Sequence, residues 1–315
     1  EYPLFEIDRK LTELWPELDI LPQLGDVCDE HRMRGLLQCH KPDVILHAAA
    51  HKHVTMLEKQ PAEAVKNNMG GTAMIGELAG ELGVGTFVLI STDKAVCPTS
   101  VMGASKRVAE LIVQDLDSRH ATTFIAVRFG NVLGSTGSVV PIFTEQIMRG
   151  GPVTVTHPNM TRYFMSISEA AQLVLSAAAL GNGGEILVLD MGEPMSIIEL
   201  AEKMIRLSGF EPYDDIDIIF TGVRPGEKLT EKLGNLAEEL TPTLNAKIFI
   251  GKLPAYDSSA LSRAVSELHA IAIAGDSVQL RTFLNEFLPE ANLDVATESE
   301  VGPVEMSPGE QRSYP

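Results

Sequence analysis

Residues 91–107 read STDKAVCPTSVMGASKR. The stretch begins where a short apolar, β-rich run ends, TFVLIST (86–92), and leads into an amphipathic helical pattern, GASKRVAELIVQDL (103–116). Such a passage sets Ser91, Thr92, Asp93 and Lys94 at the carboxyl end of a strand, with an acid and a base side by side. Ser100 is a residue type that caps helices, and Met102 and Lys106, four apart, then share one helix face. A thioether neither donates nor accepts a catalytic proton, so proton chemistry here would fall to Thr92, Asp93, Lys94 or Lys106. A solvated surface pair is the other reading of Asp93-Lys94.

The same strand-then-helix rhythm extends to either side. DVILHAAA (43–50) and TTFIAVRFG (122–130) are short and apolar, as strands buried on both faces should be. Between them EHRMRGLLQCH (30–40), PAEAVKNNMGGTAMIGELAGEL (61–82) and the helix after Ser100 repeat apolar residues at helical spacing. Strand and helix in alternation predict right-handed βαβ units and a doubly wound, Rossmann-like parallel sheet, an α/β fold. Ligands of such sheets lie beyond the carboxyl ends of the strands. Three polar clusters fall there in turn: HAAAHKH, STDK and RFGNV.

After residue 140 the pattern changes to shorter strands and helices, and residues 141–292 are expected to form a smaller α/β, substrate-binding part. EILVLD (185–190) is expected to return to the main sheet formed by 1–140, and 293–315, acidic and aperiodic, to be a disordered tail. The chain carries a net charge of −18, which argues against nucleic acid or an anionic membrane as the main partner. An acidic protein that binds an anion must gather its few cations locally. The 3 cysteines show no disulfide-scaffold spacing, and no apolar run reaches the roughly 18 residues of a membrane span. A cytoplasmic location is expected, with membrane tethering only through a segment upstream of Glu1. No glycine-rich strand–turn–helix lies before DVILHAAA; the first strand, the glycine loop and the second strand are expected upstream of Glu1.

Five stretches, LHAAAHKHVTMLE, STDKAVCPTSVMGASK, RFGNVLGSTGSVVPIF, GGPVTVTHPNMTRYFMSISEA and GVRPGEKLTEKL, together resemble the extended short-chain dehydrogenase/reductase superfamily. Within it the chain is similar to the CapD-type polysaccharide biosynthesis proteins, the UDP-N-acetylglucosamine 4,6-dehydratases, from about Glu1 to Glu290. It departs from many relatives in having Met102 where a tyrosine is usual, as the larger family members also do.

The resemblance implies a tightly bound NAD or NADP and a UDP-sugar substrate. In a 4,6-dehydration hydride leaves C4, a base takes the C5 proton, an acid protonates the departing C6 hydroxyl, and hydride returns to C6. By this analogy Asp93 is the acid, Lys94 the base, Thr92 a relay for the O4 proton, and Lys106 the residue that holds the nicotinamide ribose. Asp26 and Val27 would frame the adenine, and Ala48, Ala49 and Ala50 would line the dinucleotide, with His47, Asn68 and Ser91 nearby. Substrate contacts fall to Lys52, His53, Asn131, Val132, Ser138, Val139, Arg162, Arg224 and Glu227. Ser138 and Val139 open a helix whose N-terminus favours the diphosphate; a structural ion pair is an equal reading of Arg162. His47, His51 and His53 lack an acidic or cysteine partner, so no metal is expected. A homo-oligomer is expected. Two rivals remain: a UDP-sugar 4-epimerase, which needs no acid for C6, and a non-catalytic module that binds nucleotide sugar.

Overall fold

The computed structural model describes residues 1–234, 239–252 and 256–295. The tail expected from residue 293 lies, from 296 onward, outside the described residues. Three parallel strands, β1 (Val44–His47), β2 (Thr86–Ile90) and β3 (Thr123–Arg128), stand side by side and are followed by Ile186–Leu189, also parallel. Ile248–Lys252 and then Glu239–Pro242 extend this sheet with antiparallel pairings.

Period-2 alternation explains why the strands are apolar throughout. Phe87, Leu89, Phe124, Ala126, Ile186 and Val188 point to one face, which the helices Gly71–Glu81 and Val101–Arg119 cover, with Ser258–Ala274 and Ser277–Phe287 packed on the helical layer. Val88, Ile125, Val127, Leu187 and Leu189 point to the other, covered by the helix Ile167–Leu180 through Ala170, Val174 and Ala177. Helices on both faces make the sheet doubly wound, a Rossmann-like fold. β1 lies at the sheet edge, and Val44 and Leu46 remain about half exposed there.

The smaller part has its own core, built from Phe143 and Ile147, the short strands Val153–Val155 and Ile218–Phe220, and the helix Ile197–Leu207. Its extent differs from the sequence expectation. EILVLD does return to the main sheet, but AKIFIGK joins that sheet too, and the helices of 258–287 pack on the first core. A sequence boundary at residue 140 misses this because strand pairing between distant segments leaves no local periodicity. The sequence reading also lacked the helix Tyr2–Leu14, which has no buried residue, and the strand Glu239–Pro242.

One charged cluster fastens the core elements together. Glu110, in the helix Val101–Arg119, is fully buried and accepts hydrogen bonds from Ser91 Oγ at 2.6 Å and from Arg128 Nε and Nη2 at 3.1 and 2.7 Å. Arg107 adds an ion pair at 3.3 Å and reaches Glu290 with its Nε. Burial alone would raise the Glu110 carboxyl, but Arg128, Arg107 and the Ser91 hydroxyl outweigh it and hold the carboxyl below its usual range. A group so depressed stabilises the fold at neutral pH and loses that contribution as pH falls through its folded value. Glu110→Ala should therefore lower stability by about 3–5 kcal/mol in urea denaturation at pH 7. A loss under about 1 kcal/mol would show the cluster to be incidental.

Candidate active site

Beyond the carboxyl ends of β1, β2 and β3 lies a cleft of about 430 Å³. Its lining includes Ala48, Ala50, Lys52 and His53 from the end of β1, Ser91, Thr92 and Lys94 from β2, and Asn131 and Val132 from β3. Met102 and Lys106 come from the helix behind, and Ser138 and Val139 open the helix Val139–Met148 across from it. Alternation along the extended chain accounts for Ala48 and Ala50 lining the cleft while the intervening Ala49 does not.

The turn after β2 forms a compact polar unit. Thr92 Oγ1 donates to Asp93 Oδ1 at 2.9 Å and accepts from the Lys94 backbone N–H at 3.3 Å. Lys94 Nζ donates to Asp93 Oδ1 and to Asn131 Oδ1, at 3.0 Å each. Asp93 is wholly buried and sits behind the cleft wall; its Oδ2 has no partner among the described residues and lies near Gly130, where a Cβ would come within 3.2 Å of it. Lys94 is one-fifth exposed, so the pair is not a solvated one.

The helix bearing Met102 and Lys106 approaches this turn closely because residue 103 is glycine. A Cβ on Gly103 would stand 2.3 Å from the Lys94 carbonyl oxygen, inside any tolerable contact. Ser100 Oγ accepts from Gly103 N–H at 3.1 Å, and Glu58 takes the Val101 N–H at 2.7 Å, so this helix start is already satisfied. The start of Val139–Met148 has no side-chain cap and opens on the cleft, the arrangement that receives an anion.

Lys106 is buried, and among the described residues no acceptor meets its ammonium. Desolvation lowers its pKa to about 8, and the attraction of Glu110 only partly opposes that. His47 is pushed down to about 4, by burial and then by Lys106, and is neutral at pH 7. Its Nε2 lies 3.1 Å from Thr72 Oγ1, whose own proton goes to the Asn68 carbonyl at 2.7 Å. The Nε2 therefore carries the hydrogen.

Several expected contacts are engaged elsewhere. Asn68, in the π-helical segment Ala64–Gly70, clasps the backbone of His51 with both amide atoms and gives its second N–H to Ser105. That leaves nothing for a cofactor, yet it fixes the His51 loop. Ser91 gives its hydroxyl proton to Glu110. Arg162 is buried and donates to the carbonyls of Thr161 and Leu229, outside the cleft lining. Asp26 folds onto the Cys28 N–H, and Val27 packs at Gly71; neither reaches the cleft. Arg224 is exposed and Glu227 half-buried, on a loop whose Gly226 rests against Val54, Glu58 and Ser100, at the side of the cleft rather than in its lining. Lys52 Nζ bridges to the Thr136 carbonyl at 2.7 Å, and His53 packs at Gly137. No group of three or more His, Cys, Asp or Glu converges as a metal site among the described residues, and no helix there is long and apolar enough to cross a membrane.

Glu110 and Arg128 escaped the sequence reading although each left a signal. Glu110 continues the Met102–Lys106 face by one more turn, and Arg128 is a charge inside an apolar strand.

The family model described as "Polysaccharide biosynthesis protein" matches residues 1–253. This chain belongs to that family. It is 51% identical over 263 residues to the probable polysaccharide biosynthesis protein EpsC of Bacillus subtilis (strain 168), covering 84% of this chain and 44% of that protein. It is 48% identical over 270 residues to the capsular polysaccharide biosynthesis protein CapD of Staphylococcus aureus, covering 85% and 45%. The chain thus spans less than half the length of these curated relatives. Among solved structures, a DesIV double mutant, a dTDP-glucose 4,6-dehydratase from Streptomyces venezuelae with NAD and DAU bound, superposes with a TM-score of 0.64. The identity is 20%, over 72% of this chain and 74% of that one, a likeness of fold.

Lys106 offers a test that needs no substrate. Its pKa is lowered in the fold from 10.5 to about 8, so the unfolded chain binds the extra proton between those values and stability rises with pH there. Lys106→Met should raise stability at pH 7 by on the order of 3 kcal/mol. The gain should shrink as pH climbs from about 8 towards 10.5; a pH-independent difference in melting temperature would refute the burial argument.

Proposed function

We propose that this chain holds the catalytic groups of a nucleotide-sugar 4,6-dehydratase that converts a UDP-N-acetylglucosamine-type substrate to a UDP-4-keto-6-deoxy sugar for surface polysaccharide synthesis. The observation that carries the reading is the Thr92–Asp93–Lys94 unit: a hydroxyl facing the cleft, a buried carboxyl behind it, and an amine beside both.

The family and fold imply a nicotinamide cofactor, and Lys106 would hold its ribose: it lines the cleft with an ammonium that meets no acceptor among the described residues, and the small Ala48 and Ala50 would let a ligand approach the backbone. When bound, that cofactor would take hydride from C4 and return it to C6; NAD and NADP are both compatible with these residues. The chain's own groups handle the protons. Thr92 accepts the O4 proton and passes its hydroxyl proton to Asp93 Oδ1, along the hydrogen bond already formed. The C4 ketone makes the C5 proton acidic, and Lys94, as the neutral amine, removes it. The C5–H pair becomes the C5=C6 bond as the C6–O6 bond breaks. Asp93 returns its proton through Thr92 to O6, which leaves as water. Lys94 then gives its proton back to C5 as hydride arrives at C6, and both residues end as they began. Met102 takes no part; it packs in the core at 4% exposure. The open start of Val139–Met148 suits the diphosphate, in the smaller part that we assign to substrate.

Mass spectrometry of UDP-N-acetylglucosamine incubated with the cofactor-loaded protein tests the reading. Loss of one water supports dehydration. An unchanged mass with a new stereoisomer would mean 4-epimerisation, and binding without change would mean a non-catalytic module. Asp93→Asn should lower kcat by about 10²–10⁴-fold, while Met102→Leu should leave it within about threefold of the parent. A Met102→Leu loss as large as that of Asp93→Asn would overturn the spectator role.

A further inference from the structure

Asn131 was expected on the diphosphate, but the structure turns its carbonyl oxygen to Lys94. We infer that Asn131 is a positioning residue for the C5 base, fixing the direction of the Lys94 lone pair; the inference rests on the dehydratase reading and deepens it. A neutral amine has two N–H groups and one lone pair at tetrahedral nitrogen, the remaining direction being the bond to Cε. Both N–H directions have fixed acceptors, Asp93 Oδ1 and Asn131 Oδ1, each at 3.0 Å. With Cε and both hydrogens held, only the lone pair is left, and Lys94 lines the cleft, so it falls on the side where a sugar would lie. Asp93 alone would leave the amine free to rotate about Cε–Nζ.

The two acceptors are themselves rigid. Asp93 is wholly buried, and its backbone N–H is bonded to the Phe129 carbonyl at 3.0 Å. Asn131 is anchored through its backbone N–H to the Tyr163 carbonyl at 3.0 Å, in the short ladder that pairs Asn131–Val132 with Phe164–Met165. A base located by two different strand ends keeps its aim while substrate enters and leaves. Precise placement of this kind carries a large rate effect, since an error of about 1 Å can cost ~100-fold.

Asp93 on its own turn bonds the Lys94 amine, and the other titratable groups that line the same cleft are Lys106 on the helix behind and His51, Lys52 and His53 on the loop after β1. Among the described residues no carboxylate lines the cleft. Asn131→Asp therefore adds one anion against the amine with little change of shape and favours its protonated, unreactive form. In the cofactor-loaded protein, the limb on which kcat rises with pH should move up by about one to three units. Asn131→Ala should lower kcat by about 10–100-fold with KM changed little, the signature of an interaction that matters in the transition state. A residue that only binds diphosphate behaves otherwise: Asn131→Ala raises KM with kcat unchanged, and Asn131→Asp leaves the kcat profile in place. Either of those results, in a protein whose parent form releases water from the sugar, overturns this inference alone. A parent protein that releases no water overturns the dehydratase reading and the inference with it.

Discussion

Glu110 is one carboxylate with three separate donors, and the site is assembled around it. Its partners are Ser91 at the end of β2, Arg128 at the end of β3 and Arg107 on its own helix. A charge in a fully buried position is costly unless it is paired and hydrogen-bonded. Here all its partners hold it at once, so the two strand ends and the helix have little freedom to shift relative to one another. Thr92, Asp93 and Lys94 follow Ser91, Asn131 follows Arg128 by three residues, and Lys106 lies one turn before Glu110. Each of these groups thus stands within four residues of Glu110 or of a residue bonded to it.

The electrostatics follow from the same burial. The protein is acidic overall, with a net charge of −18, yet among the described residues the cleft presents Lys52, Lys94 and Lys106 and no carboxylate. The nearest anion, Asp93, is set behind Thr92. On the proposed function, an anionic sugar nucleotide would meet cations first, and the carboxyl would act through a neutral hydroxyl that need not repel it. Desolvation lowers Lys106, and Lys106 in turn helps keep His47 neutral. Such coupling ties the protonation of the cleft to its packing, and the loss of one buried group would be felt by its neighbours.

Much of this was legible before any fold was known. The apolar runs at 86–92 and 122–130 could only be strands buried on both faces, and the polar residues that end them had to lie on the ligand side of a parallel sheet. Thr92, Asp93, Lys94 and Asn131 were singled out on that ground, Met102 and Lys106 by their shared helix face, and all but the buried Asp93 line the cleft. The expectations that differed share a cause. Asn68, Ser91 and Arg162 carry groups that suit a ligand, but hydrogen bonds to protein atoms claim those groups first. Sequence reveals what a side chain could bond, and only the neighbours decide what it does bond.

The sequence by itself determined the parallel sheet and the order of its polar strand ends, because two-residue and helical periodicities are local and survive in a linear string. Tertiary structure alone decided that Asp93 sits behind Thr92, that Gly103 brings the helix onto the Lys94 carbonyl, and that Ile248–Lys252 completes the sheet. Those facts depend on segments far apart along the chain that meet only once the core has closed, and burial and hydrogen-bond satisfaction, rather than local pattern, choose among the possible meetings.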